Sequence, residues 1–129
     1  MDTFSEKPEQ KARVILVVED DADIAEFLTD ALKTETSCQT LLATDGFQAL
    51  EVVKTQIPDL FILDYRLPKM NGLELYEHLQ AIEKLKNVPV LLMSASAPMQ
   101  EIEKSHVYFI EKPFEWEEIL QAIERLLAS

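Results

Sequence analysis

Three carboxylates stand directly after apolar runs in the sequence. Residues 60–63 are large and apolar and the run stops at Asp64, while a similar run at 14–18 stops at Glu19 and Asp20. Unbroken apolar runs of this length are typical of strands buried on both faces of a parallel sheet. The carboxyl ends of such strands line the crevice in which open α/β sheets bind ligands. The pattern therefore predicts that the three carboxylates share a site.

Carboxylates that share a site need either protonation or a cation. Two like charges about 4 Å apart repel each other by on the order of 4 kcal/mol at an effective dielectric of about 20. Oxygen ligands with room for several waters are the surroundings that Mg²⁺ prefers. Glu19, Asp20 and Asp64 are therefore candidate ligands for Mg²⁺.

Two later apolar runs end beside groups that can hold phosphate oxygens. Residues 88–93 stop at the hydroxyl of Ser94, and residues 107–110 are followed closely by Lys112. Phosphoryl transfer depends mainly on positioning and on neutralisation of charge, which a cation, a lysine and a hydroxyl supply together. Because carboxylates can form acyl phosphates, Asp64 is the candidate nucleophile.

The elements that must position these groups alternate along the chain. Five strand-like runs are separated by helical patterns, which predicts a doubly wound α/β fold with right-handed crossovers. Asp45 with Gln48, and Asn71 with Glu74, have the spacing of capping boxes at helix starts. The segment 95–106 has room for at most two helical turns. We expect a flavodoxin-like parallel sheet of order 2-1-3-4-5, helices on both faces and a short or irregular fourth helix.

Length and composition limit the classes of protein. The 129 residues suit one domain, for which we predict a flexible extension at 1–12 and a folded unit at 13–129. The formal net charge of −12 argues against nucleic acid and anionic membranes as direct partners. No apolar run approaches the roughly 18 residues of a membrane helix, and the single cysteine, Cys38, has no internal partner for a disulfide. A cytoplasmic protein is expected.

Taken together, the motifs resemble the receiver domain of response regulators in two-component signalling. The resemblance extends over about residues 13–128, and five short motifs carry it in order at the strand ends. These are residues 17–21 around the acidic pair, Asp64 with Leu67-Pro68, the triplet Met70-Asn71-Gly72, Pro89-Val90 leading to Ser94-Ala95, and Lys112-Pro113-Phe114. Ser94 stands where that family more often has threonine.

The resemblance implies a role for each acidic residue. Asp64 would accept a phosphoryl group from a histidine kinase or a histidine phosphotransfer protein. Asp20 and Asp64 would bind Mg²⁺ directly, together with the backbone carbonyl of Arg66, and Glu19 would contribute through water.

It also implies roles for residues on the last two strands. Ser94 and Lys112 would hold the phosphoryl oxygens, and Phe109 would turn inward when Ser94 moves toward the phosphate. The peptide bond between Lys112 and Pro113 would be cis, an isomer found mainly before proline.

The sequence leaves more than one function open. The leading hypothesis is a stand-alone receiver, which signals to a downstream protein by contact or passes the phosphoryl group on. It would not be an enzyme beyond its own Mg²⁺-dependent phosphorylation and dephosphorylation. The alternative is a pseudo-receiver that binds proteins independently of phosphorylation. A phosphatase of the haloacid dehalogenase type would need a second aspartate two residues after the nucleophile. This chain has Arg66 there, which argues against that class. The short 95–106 segment leaves the oligomeric state undetermined.

Overall fold

The computed structural model describes residues 12–128 of the chain. Within them, the strands and helices alternate in the predicted manner. Residues 1–11 and Ser129 lie outside the described residues, so the predicted extension at 1–12 stays a prediction. The strands are β1 (Val14–Val18), β2 (Gln39–Ala43), β3 (Leu60–Asp64), β4 (Val90–Ser94) and β5 (Tyr108–Glu111), and the helices are α1 (Ala22–Glu35), α2 (Gly46–Val52), α3 (Gly72–Gln80), α4 (Met99–Ser105) and α5 (Trp116–Ala128).

The five strands form one parallel sheet in the order β2-β1-β3-β4-β5. This is the predicted flavodoxin-like order, in which the first strand lies between the second and the third. The strand order reverses beside β1, which makes the carboxyl ends of β1 and β3 the edges of the crevice. No helix among residues 12–128 is long and apolar enough to cross a membrane.

Alternate residues of each central strand pack into two separate cores. Leu16 and Val18 of β1 face the layer of α2, α3 and α4, whereas Ile15 and Val17 face the layer of α1 and α5. Because successive side chains of a strand point to opposite faces, a strand covered by helices on both sides must be apolar at every position. This is the physical reason for the unbroken apolar runs.

Side-chain caps fix where three helices begin. The Asp21 carboxylate accepts from the backbone N–H groups of α1, and Asn71 with Glu74 forms the predicted capping box of α3. At α2 the capping box is only half formed. Asp45 accepts from Gln48 N, but the Gln48 side chain accepts from Thr44 N at 2.8 Å, one residue before the position that a capping box requires.

Helix α4 has about two turns, within the limit that the sequence predicts, and few contacts hold it to the rest of the domain. It spans seven residues, and Ile102 is its one buried residue. Pro98 precedes it without a side-chain cap, and the helix ends at His106, which has φ 65° and ψ 15°. Left-handed backbone at this position is usual for helix C-termini, but the residue there is most often glycine.

His106 therefore gives a prediction about stability. A side chain in the left-handed region is disfavoured by about 1 kcal/mol or more relative to glycine. We expect His106→Gly to be more stable than His106→Ala by about 1 kcal/mol, measured as the free energy of unfolding in urea. Equal stability of the two variants would show that His106 does not hold the left-handed conformation in solution.

Candidate functional site

The strand register brings the predicted site residues to one edge of the sheet. Val18 pairs with Leu63, so Glu19 follows β1 at the level at which Asp64 ends β3. On the other side, Ser94 pairs with Glu111, and Lys112 N donates to Ser94 O at 2.9 Å. Residues far apart in the sequence thus meet at the carboxyl ends of four strands, where ligands of this architecture bind.

The three predicted carboxylates converge. One carboxylate oxygen from each of Glu19, Asp20 and Asp64 lies within 4.8 Å of the other two. Glu19 and Asp64 are buried, with 1% and 5% of their surface exposed, whereas Asp20 is exposed. The cluster therefore has an open side at Asp20 and an enclosed side at Glu19.

Each oxygen of the Asp64 carboxylate has a donor. Lys112 Nζ lies 3.2 Å from Oδ2, and the backbone N–H of Arg66 donates to Oδ1 at 3.1 Å. The same ammonium lies 4.0 Å from Glu19 Oε1, and the Lys112 side chain is only 21% exposed. One largely buried cation thus faces two buried carboxylates.

Glu19 shows how these carboxylates share the site. Burial is the largest cause that raises its pKa from 4.5 to about 8, and the neighbouring Asp64 carboxylate adds to the effect. The Asp21 backbone N–H and the Lys112 ammonium act in the opposite direction but do not compensate. The raised pKa favours the protonated form of Glu19 in the metal-free protein, which is the first of the two solutions that three clustered carboxylates allow.

The donor set also fits the second solution, a bound cation. Glu19 Oε1 is buried and has no hydrogen-bond partner within residues 12–128, which leaves an oxygen available to a ligand. Three carboxylates with one open side match the hard oxygen ligands and retained waters that Mg²⁺ requires. Glu19, Asp20 and Asp64 could hold this ion.

Comparison with protein families identifies the domain. The family model of the response regulator receiver domain matches residues 15–124. The chain belongs to the response regulator receiver family. The site just described, at the carboxyl ends of the parallel strands, lies within the matched residues.

Relatives of this receiver occur alone and within longer proteins. It is 32% identical over 117 residues to sporulation initiation phosphotransferase F of Bacillus subtilis, a match that covers 88% of this chain and 92% of that protein. It is 36% identical to the DNA-binding response regulator MtrA of Mycobacterium tuberculosis, but spans only half of that protein's length. The sequence of a receiver domain is therefore compatible with several protein architectures.

Solved structures have the same fold. A putative response regulator from Chloroflexus aurantiacus superposes with a TM-score of 0.85 at 26% identity, over 92% of this chain and all of that one. The receiver domain of a sensor histidine kinase from Pseudomonas aeruginosa, described with magnesium coordinated in its active-site cleft, has a TM-score of 0.82 at 25% identity, over 92% of this chain and all of that one.

The hydroxyl of Ser94 is buried at the edge of the receiver's site and already has a donor. Its oxygen accepts from Ser96 N at 2.9 Å, and the Ser96 hydroxyl accepts from two nitrogens of the Arg66 side chain, both at 3.3 Å. These bonds connect the loops after β3 and β4. Sequence reasoning identified Ser94 and the Arg66 carbonyl but missed Ser96, because a serine in a loop has no pattern of its own.

The two remaining predicted features lie on β5 and directly after it. Phe109 on β5 is half-buried and packs against the core on the side of α2, α3 and α4. The Lys112–Pro113 peptide bond is cis. The switching role of Phe109 stays a prediction.

The raised pKa of Glu19 predicts how stability depends on pH. A carboxyl group whose pKa is higher in the folded than in the unfolded state stabilises the fold below pH 4.5, and this contribution is lost as the pH rises through about 8. Without metal, the free energy of unfolding should fall with pH over this range, by at most about 1.4 kcal/mol per pH unit from this group. Glu19→Gln, unfolded in urea with a chelator present, should remove that part of the slope. An unchanged slope would contradict protonation of Glu19.

Proposed function

We propose that this chain is a phosphorylatable receiver that accepts a phosphoryl group on Asp64 from a histidine kinase or a histidine phosphotransfer protein. The observation that supports it best is the position of Asp64, whose carboxylate has Lys112 Nζ at 3.2 Å and lies in one cluster with an oxygen each of Glu19 and Asp20, all within 4.8 Å of one another. A buried carboxylate between a fixed cation and a cation-binding cluster is suited to nucleophilic attack on a phosphoryl group.

The transfer is a substitution at phosphorus. An Asp64 oxygen forms the new P–O bond while the P–N bond of the donor phosphohistidine breaks, and the bonding electrons leave with the imidazole. Glu19, Asp20, Asp64 and the backbone carbonyl of Arg66 would hold Mg²⁺, which when bound supplies positive charge opposite the phosphoryl oxygens. Lys112 would stabilise the negative charge on the phosphoryl oxygens. The burial of Asp64 limits the hydration of its carboxylate before attack.

Ser94 would transmit the effect of phosphorylation from Asp64 to the surface of the domain. Its oxygen accepts from Ser96 N in the unphosphorylated protein, and its hydroxyl proton can be donated to a phosphoryl oxygen on Asp64. Movement of Ser94 toward Asp64 would displace the loop before α4 and make room for Phe109 to turn inward, which alters the surface of α4 and β5.

Its partners follow from this chemistry. The donor is a phosphohistidine protein, and the output is contact with a downstream protein, because a net charge of −12 disfavours nucleic acid and anionic membrane. The reaction takes place in the cytoplasm, where ATP supplies the kinase. The chain is not an enzyme in the usual sense, since it is itself modified and is restored by hydrolysis.

The test is incubation with a small phosphoryl donor, acetyl phosphate, with Mg²⁺ or with a chelator. Intact-mass spectrometry should show one added phosphoryl group with Mg²⁺ and none with the chelator, and peptide mapping should locate it on Asp64. An unmodified protein at saturating donor and Mg²⁺, or modification at another residue, would overturn the proposal.

A further inference from the structure

The loop that follows Asp64, residues 65–71, is fixed firmly at both ends. At its start, Arg66 N donates to Asp64 Oδ1 at 3.1 Å. At its end, Gly72 N donates to Tyr65 O at 2.8 Å, and a Cβ atom on Gly72 would lie only 2.6 Å from the backbone oxygen of Asp64. We call residues 65–71 the acceptor loop. Because Arg66 belongs to this loop, the position of the loop determines where the Arg66 carbonyl lies.

Lys69, in the middle of the acceptor loop, has a backbone conformation that side chains seldom adopt. Its φ is 75°, and Lys69 and His106 are the two residues other than glycine with positive φ within residues 12–128. A residue other than glycine, asparagine or aspartate in this region is held there by its surroundings. The structure should therefore contain contacts that hold Lys69 in place.

Those contacts are with the start of α2. Lys69 Nζ lies 3.5 Å from Asp45 Oδ2 and 6.0 Å from the centre of the Phe47 ring. Asp45 is itself fixed, because its side chain is 12% exposed and its other oxygen accepts from Gln48 N at 2.8 Å. Lys69, Asp45 and Phe47 form what we term the α2 clasp.

The neighbouring residue strengthens the attachment. A Cβ atom on Gly46 would lie 2.7 Å from two atoms of the Met70 side chain, so that Met70 packs directly on the backbone of α2. Two consecutive residues of the acceptor loop are thus attached to an element that contributes no group to the phosphorylation site. The loop gives that element a direct connection to the site.

We propose that Lys69 is a positioning residue, which through the α2 clasp holds the acceptor loop and thereby the Arg66 carbonyl in the place where it can bind Mg²⁺. This inference rests on the proposed function, which assigns that carbonyl to the ion. Lys69 does not touch the reacting groups and acts through Arg66.

Positioning and simple electrostatics predict opposite effects on Mg²⁺ affinity. Removal of a lysine makes an acidic protein more negative and should strengthen the binding of a divalent cation. Loss of the α2 clasp should weaken Mg²⁺ binding, because a metal ligand that loses its supporting contacts is positioned less well. For removal of Lys69, the sign of the change therefore separates the two explanations, whereas removal of the Asp45 charge weakens Mg²⁺ binding under both.

Three single variants and the double variant Lys69→Gly/Asp45→Asn form the experiment. Lys69→Gly removes the ammonium while allowing φ 75°, and Asp45→Asn removes the charged partner while keeping an oxygen that can accept from Gln48 N. Lys54→Gln is the matched control for charge, since Lys54 pairs with Glu51 on the exposed surface of the same α2 region. Mg²⁺ affinity is measured on the unphosphorylated proteins by NMR titration of backbone amides, and the phosphorylation rate is measured against Mg²⁺ concentration.

We expect Lys69→Gly and Asp45→Asn each to raise the dissociation constant for Mg²⁺ by roughly three- to tenfold, at or below the low end of the effect of lost support behind a metal ligand. The double variant should show the same increase as each single variant, because both lose the same clasp. Charge effects alone would instead offset each other in the double variant, since one substitution removes a positive and the other a negative charge. The phosphorylation rate at saturating Mg²⁺ should change less than the Mg²⁺ requirement. In Asp45→Asn, whose acceptor loop is unaltered in sequence, the Gly72 amide should exchange faster with solvent.

Affinity that is unchanged, or that increases as in Lys54→Gln, would overturn the inference. Failure of this inference can be distinguished from failure of the proposed function. If the wild-type protein takes no phosphoryl group, the proposed function fails, whereas if it is phosphorylated and Lys69→Gly behaves as Lys54→Gln does, only the role of the α2 clasp fails.

Discussion

Asp64→Asn is expected to abolish phosphorylation by small-molecule donors and by phosphohistidine proteins. Asparagine has nearly the same shape, but its amide oxygen is too weak a nucleophile to form an acyl phosphate. The variant should fold, because asparagine keeps the shape of the side chain and an oxygen that can accept from Arg66 N, as Asp64 Oδ1 does at 3.1 Å. Intact-mass spectrometry after incubation with acetyl phosphate and Mg²⁺ is the measurement, with circular dichroism to confirm folding.

The matched control is Asp30→Asn, at an exposed position of α1 outside the cluster. It makes the same chemical change and the same change in net charge, and should be phosphorylated at the wild-type rate. A full phosphoryl group on Asp64→Asn would refute the assignment of the acceptor. Phosphorylation of the wild type, combined with normal signalling by Asp64→Asn in cells, would instead favour the pseudo-receiver, which binds partners without phosphorylation.

Lys112→Met is expected to lower the phosphorylation rate by roughly 10²- to 10³-fold, the usual cost of removing one fixed group that stabilises charge in a transition state. Methionine fills a similar volume but leaves Asp64 Oδ2 without the ammonium now at 3.2 Å. The rate should be measured against Mg²⁺ concentration, because the loss should appear at saturating Mg²⁺ and not only as a change in affinity.

Two further variants make this result specific to the site. Lys112→Arg keeps the charge but has a larger, planar head group, and should restore only part of the rate, because arginine and lysine are not equivalent in a confined site. Lys54→Met removes an exposed lysine and should react as the wild type does. A Lys112→Met protein that reacts at the wild-type rate with Mg²⁺ saturating would remove Lys112 from the mechanism.

The parts of the structure that could be predicted are those that the burial of strands determines. The unbroken apolar runs identify β1, β3 and β4 because both faces of the sheet are covered, and the polar residue that ends each run then lies at the site. The short α4 follows from the few residues between Ser94 and β5. These predictions depend only on local sequence patterns and on the rule that crossovers between parallel strands are right-handed.

Contacts between separate loops could not be predicted in this way. The α2 clasp depends on the rotamer of an exposed lysine and on a left-handed backbone, neither of which has a sequence signal when the residue is not glycine. The helical periodicity of α1 likewise places Phe27 beside the buried Leu28 but does not determine how much of each side chain is covered. Phe27 is 48% exposed, with its ring against Trp116 of α5 at a centroid distance of 6.1 Å, because the start of α5 covers only part of it.

The sparse attachment of α4 affects the dynamics of the whole molecule. A helix with one buried residue and no side-chain cap can separate from the sheet at a free energy well below that of global unfolding. We therefore expect, in solution, a minor population of molecules with α4 released beside those with α4 docked. A ligand that binds only the released form has its apparent affinity reduced in proportion to the size of that population, so a modest change in docking free energy would change binding severalfold.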